Sequence, residues 1–194
     1  MADLLKDELN DWIEGFVNCV PGRTGSILRR AWFSRRLAEL GPGSVFEGRV
    51  RIGGCKNIRI GRSFSVMSNS SLWAWRGHIE IGDRVSMNSN VIVDACDDGL
   101  IRIGNDVLIG PNVVMRASNH VYKSPDRPIN RQGHTGGTIV VRDDVWIASN
   151  VVIVPGVTIG EHSVISACSL VSHDVEPWTV VGGVPAAVIK RREQ

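Results

Sequence analysis

The sequence predicts an all-β solenoid of short parallel rungs, a parallel β-helix entered through a short helical N-terminal segment, and three observations support this fold class. Fifteen aliphatic or methionine residues fall on a six-residue spacing: Ile60, Val66 and Leu72; Ile81, Met87 and Val93; Ile103, Ile109 and Met115; then Val141, Ile147, Ile153, Ile159, Ile165 and Val171. A second apolar column lies two residues earlier, from Ile58, Phe64 and Ile79 through Val145, Val151 and Val157. The residue after an inward aliphatic is often small, as at Gly61, Gly82, Gly104, Gly110, Ala148 and Gly160, which lets the chain bend tightly. Six is even, so each repeat returns to the same face of an extended chain; it fits no helical turn. Short strand, tight turn, short strand, repeated, is the hexapeptide pattern of a β-helix. Such a stack buries its core between coils and needs covered ends.

Before the repeat begins, Leu5, Leu9, Trp12, Ile13, Phe16, Val17 and Val20 lie at helical spacing, and Pro21-Gly22 ends that pattern. A second helical stretch is expected from Ile27 to Leu40, carrying Leu28, Ala31, Trp32 and Leu37 among Arg29, Arg30, Arg35 and Arg36. A basic amphipathic helix either rests on an anionic membrane surface or packs its apolar face on its own protein. Residues 1–40 are thus read as a helical segment, 41–186 as the β-helix, and 187–194 as a polar basic tail.

Three interruptions break the columns. Arg76, Gly77 and His78 are inserted after Trp75, and Asp97, Asp98, Gly99 and Leu100 after Cys96; both are short enough to be enlarged turns. The third, residues 119–138, holds two prolines, three glycines, the single tyrosine and two of the five histidines. A long excursion from a regular scaffold, read here as structureless, is a candidate site, because loops carry function while the scaffold holds them in place.

At 194 residues the chain is one domain with a small appendage. Its 22 basic and 20 acidic residues leave a net charge of +2, which gives no case for nucleic acid as the main partner. Cys19, Cys55, Cys96 and Cys168 form no C-x-x-C pair and are expected to be reduced, buried thiols. The acidic start and the lack of a membrane-length apolar run point to the cytoplasm.

Zinc chemistry on three histidines needs rings that converge, and His120 has no histidine five residues on, where Pro125 stands. His78, His134, His162 and His173 share no spacing with it, so no metal is expected. No G-x-S-x-G elbow is present, and no cysteine has a base near it in sequence. What remains is His120, at the point where the chain leaves the prism. Its imidazole can accept a proton at neutral pH, or it can simply hydrogen-bond within the loop.

The runs I-G-N-D-V-L-I-G-P-N-V (103–113), S-N-H (118–120), P-D-R-P (125–128), D-D-V-W-I-A-S-N-V-V-I-V-P-G-V-T-I-G (143–160) and G-G-V-P-A (182–186) closely resemble the hexapeptide-repeat acetyltransferases. The branch is that of maltose, galactoside and polysaccharide O-acetyltransferases, and the resemblance spans about Pro21 to Lys190. The opening P-G-R-T-G-S-I-L-R-R also looks like members associated with bacterial surface polysaccharides. The resemblance implies a left-handed β-helix, a homotrimer with active sites between subunits, and acetyl-CoA as co-substrate with no metal.

By that resemblance, His120 is the general base that deprotonates the acceptor for direct attack on the thioester. Asn90 matches an asparagine that contacts the acceptor, or is a polar turn residue. Trp146 matches a tryptophan lining the acceptor and thioester cleft, and as an outward residue it would be costly to leave without a partner. Ser149 matches a residue whose backbone amide faces the thioester carbonyl. Ala167 and Ser172 match positions along the pantetheine groove, or are ordinary coil turns, and Lys190 matches a basic residue near the nucleotide phosphates. Ala187 stands where the galactoside enzymes carry an arginine and His173 where a lysine is common, so Arg191 or Arg192 is expected to take up phosphate contacts. The N-terminal segment does not match the maltose-type acceptor domain, so the acceptor stays open.

The expected function is acetyl-CoA-dependent O-acetylation of a saccharide hydroxyl, in surface polysaccharide or lipopolysaccharide synthesis. The alternatives are N-acetylation of an amino sugar or nucleotide sugar, and a non-catalytic solenoid scaffold. If residues 27–40 touch the membrane, they place the protein at its inner face.

Overall fold

A computed structural model describes residues 2–193. Its body is a three-sided parallel β-helix, in which three sheets take their strands in turn from each successive coil. All fifteen residues of the first apolar column face inward and are at most 5% exposed; the second column is as deeply buried. They form one continuous core. The coils are joined by hydrogen bonds between equivalent backbone positions, such as Gly82 N–H to the Ile103 carbonyl and Gly104 N–H to the Val141 carbonyl, both 2.8 Å. At one corner of the prism Asn69, Asn90, Asn112 and Asn150 adopt left-handed backbone (φ between 58° and 62°), a conformation asparagine tolerates better than most residues.

Helices α1 (Ala2–Cys19) and α2 (Gly22–Arg36) cover the first coil. Phe33 of α2 is fully buried, its ring centroid 5.0 Å from that of Phe46, which lies 5.8 Å from Phe64. The helical segment thereby extends the solenoid core upward and prevents edge pairing at that end. Arg29 is 1% exposed and donates to the carbonyls of Val17 (3.1 Å), Val20 (2.8 Å) and Phe46 (2.8 Å). The guanidinium therefore caps the carbonyl end of α1 and ties it to the prism. Burial lowers its pKa. Arg36 pairs with Glu14 at 2.8 Å.

Three sequence expectations need correction. The second helix begins at Gly22 and stops at Arg36 instead of running from Ile27 to Leu40, because Leu37 turns to extended backbone and Glu39–Leu40 already pairs with Arg59–Ile60. Among the described side chains of α1 only Val17 is buried, while Leu5, Leu9, Trp12 and Phe16 form an exposed apolar stripe. The stretch read as a polar basic tail is in part a strand: Ala186–Arg191 runs antiparallel to Thr179–Gly183. The thiols are free, yet Cys19 and Cys168 are exposed and only Cys55 is buried. Among the described residues no helix is long and apolar enough to cross a membrane.

Candidate functional site

The insertions all fall at one corner of the prism, where the chain passes from one sheet to the next. Parallel pairing resumes after each, aligning Ile58 with Ile79, Ile79 with Ile101 and Ile101 with Ile139. The enlarged turns must therefore stack on one another. A 3-10 turn at Cys55–Asn57, not anticipated from the repeat, starts the pile, and Asn57 donates to the Ala74 carbonyl at 3.0 Å. The next two turns are tied by Asp97 N–H to Trp75 carbonyl (3.1 Å) and Asp98 N–H to Arg76 carbonyl (2.9 Å), and Arg76 pairs with Asp97. Contact is so close that a Cβ on Gly77 would lie 1.7 Å from the Ala95 oxygen, and one on Gly136 2.2 Å from the Asp98 oxygen.

The excursion at 119–138, expected to be structureless, is an ordered hairpin. Ser118–His120 runs antiparallel to His134–Gly136, with His120 opposite His134. Gln132 secures the tip through the Ser124 backbone N–H (3.0 Å) and the carbonyls of Ser124 (2.9 Å) and Arg127 (2.8 Å). The rings of His120 and His134 stand 4.2 Å apart, inclined at 42°. His134 Nδ1 is 3.7 Å from Asp97 Oδ2. Sequence spacing missed this meeting, because the hairpin register, not the separation of the two histidines along the chain, brings them together. Nearby, burial and then a hydrogen bond to Asp94 push the Cys96 thiol up to about 11, so it is protonated at neutral pH and is no nucleophile. Among the described residues no cluster of three or more His, Cys, Asp or Glu could hold a metal ion.

A separate groove of about 850 Å³ runs along the sheet that contains Trp146. Trp146, Ser149, Ala167 and Lys190 all line it, together with Val180 and Arg192. Trp146 stands outward, 53% exposed, in register with Leu108 and Val164. Lys190 reaches the groove only because the last strand folds back, setting it opposite Val180. The apolar Val188 and Ile189, following the G-G-V-P turn, were the sequence signal for that strand. Arg192 donates to the His162 carbonyl (2.7 Å) and leans over the Trp178 ring. The groove thus joins an apolar floor to two cations, a lining suited to a long ligand with an anionic end.

Three predicted residues lie outside this groove. His120 sits on the hairpin corner. Ser172 is hydrogen-bonded to neighbouring His173 at 3.1 Å. Asn90 belongs to a ladder of corner amides, donating to Asn112 (3.1 Å), which in turn donates to Asn150 (3.0 Å). Its turn-residue reading is therefore realised in the geometry of one chain.

The family described as bacterial transferase hexapeptide (six repeats) matches residues 138–173. The galactoside O-acetyltransferase of Escherichia coli K12 is 37% identical over 123 residues, covering 61% of this chain and 56% of that enzyme. WbbJ of the same organism, named for lipopolysaccharide biosynthesis O-acetyl transfer, is 31% identical over 143 residues, covering 70% of this chain and 72% of WbbJ. A hexapeptide-repeat acetyltransferase from Vibrio cholerae, solved with acetyl coenzyme A, superposes with a TM-score of 0.66 at 29% identity, covering 95% of this chain and 86% of that one. The chain spans about half the length of the galactoside-type relatives it matches.

Proposed function

Because this chain belongs to the hexapeptide-repeat acetyltransferase family, we propose that it moves the acetyl group of acetyl-CoA to a saccharide hydroxyl in surface-polysaccharide or lipopolysaccharide synthesis. The observation that carries this reading is the combination of a cation-ended apolar groove with one imidazole displayed on a rigid corner. Trp146 and Val180 give the groove an apolar wall for a pantetheine arm, and Lys190 and Arg192 supply positive charge for phosphates. His120 accepts the acceptor's hydroxyl proton as the oxygen bonds to the acetyl carbon. The carbon–sulfur bond breaks, and the CoA thiolate takes the proton back from the imidazole. The Ser149 amide is assigned to the oxygen on which charge develops.

Within one chain, the groove and His120 occupy different parts of the prism, so a second copy is needed to unite them. The outer face of a third part supports a homotrimer: Ile92, Val114, Val152 and Leu170 align rung on rung there as an outward apolar column. Ile92 and Val152 are 39% and 41% exposed in the single chain. A contiguous apolar strip of this kind marks an interface. Contact with the membrane's inner face would rest on exposed Ile27, Arg30 and Arg35 of α2, since Arg29 is buried and Arg36 is paired with Glu14. Binding to anionic vesicles that falls steeply with salt would support that contact.

The central test is His120→Ala. Its melting temperature should stay near that of the unaltered protein, while CoA release in the presence of acceptor falls roughly 10²- to 10⁴-fold. Turnover at the unaltered rate would refute the reading. Mass spectrometry of surface glycans with and without the gene identifies the acceptor, and loss of the acetyl group in mild base separates an ester from an amide.

A further inference from the structure

We infer that His134 is a positioning residue for His120, and that Asp97 and Arg76, from two other insertions, anchor it. This rests on the reading of His120 as the base. His120 ends a three-residue strand and is exposed, so little in its own backbone surroundings fixes its χ angles. Among the described residues, the aromatic face packed against it is the His134 ring, 4.2 Å away between centroids. His134 has a second neighbour: its side chain is 32% exposed, and Nδ1 faces the Asp97 carboxylate at 3.7 Å. Asp97, itself only 18% exposed at the side chain, is paired with Arg76 on the coil below. The order Arg76, Asp97, His134, His120 thus runs through three stacked insertions, linked by an ion pair, a 3.7 Å approach and a ring contact within the hairpin.

Such a column restricts the imidazole plane. A base contributes fully only when its lone pair points at the proton to be removed, and a misplacement of about 1 Å costs up to roughly 10²-fold in rate. Contact with a flat ring leaves His120 free to approach the acceptor while removing orientations that point away. The groups facing His134 are His120 across the hairpin and Asp97 from the neighbouring turn, with Arg76 behind Asp97. Within one chain, His134, Asp97 and Arg76 do not line the groove that contains Trp146, and in the trimer only the His120 imidazole meets the thioester, so loss of the positioning residues should leave acetyl-CoA binding intact.

The test is a double-mutant cycle on the full-length protein, read by steady-state turnover. His134→Ala should lower kcat at least tenfold, leave KM for acetyl-CoA and the melting temperature unchanged, and add nothing further in a His120→Ala background. His134→Phe should recover most of the loss, because a flat ring remains, and Asp97→Asn should cost about threefold only when His134 is present. Full turnover by His134→Ala, or losses that simply multiply with those of His120→Ala, would overturn the inference. If instead His120→Ala itself retains full turnover, the base assignment fails, and this inference with it.

Discussion

Gly136→Ala is the sharpest probe of the stacked corner. The added Cβ would lie 2.2 Å from the Asp98 carbonyl oxygen and 2.4 Å from its carbon, where 3.0 Å is the practical floor. Both partners are backbone, and the Asp98 amide is already bonded to the Arg76 carbonyl, so the hairpin must lift by about 1 Å. Ser118 lies opposite Gly136 in the hairpin, with His120 two residues further on, so the displacement reaches the imidazole. Misplacement of this size predicts a fall in kcat on the order of 10²-fold. The hairpin lies outside the prism core, so the melting temperature should drop by no more than about 3 °C, roughly 1 kcal/mol for a chain of this size. Turnover at saturating acetyl-CoA and a thermal melt read the two effects, with exposed Thr135→Ala as the control expected to keep full activity. If Gly136→Ala retains turnover within threefold, the hairpin does not set the imidazole's position and the reasoning fails.

Arg29→Met removes three charge-assisted bonds to the carbonyls of Val17, Val20 and Phe46, and should cost about 3 kcal/mol after the recovered desolvation of the guanidinium is discounted; the melt should fall by roughly 8 °C and α1 should become susceptible to limited proteolysis. Cys96 should resist alkylation at pH 8, where about one thiol in a thousand is ionised, with labelling rising about tenfold per pH unit towards pH 11, while exposed Cys19 and Cys168 label readily. The Asp83 and Asp106 carboxylates are held below their ordinary range by hydrogen bonds from Arg62 and Arg84. Because their folded pKa values are depressed, the stability they contribute is present above about pH 4 and is lost as pH falls through the folded values. Replacing both by asparagine should flatten the acid limb of a melting-temperature profile below pH 4.

The six-residue period, the two apolar columns and the presence of two N-terminal helices were legible in the chain because each is a local property. Alternation and turn residues act within a single coil, and every column residue is buried where its phase put it. The motif around Ser118-Asn119-His120 could likewise be recognised, and so could the groove residues Trp146, Ser149 and Ala167, which lie on regular rungs. His134, Asp97 and Arg76 could not be placed, since their meeting depends on insertions of unlike length stacking at one corner. Lys190 reached the groove through a reversal whose strand Val188 and Ile189 signal but whose pairing partner they do not, and the full stretch from Ile27 to Leu40 could not stay helical once Glu39–Leu40 had a strand to pair with. Periodicity fixes which way a side chain faces within its own coil; which coil it then meets is decided by register across separations of 22 and 38 residues, through backbone hydrogen bonds and close contacts that exist only after the coils have stacked.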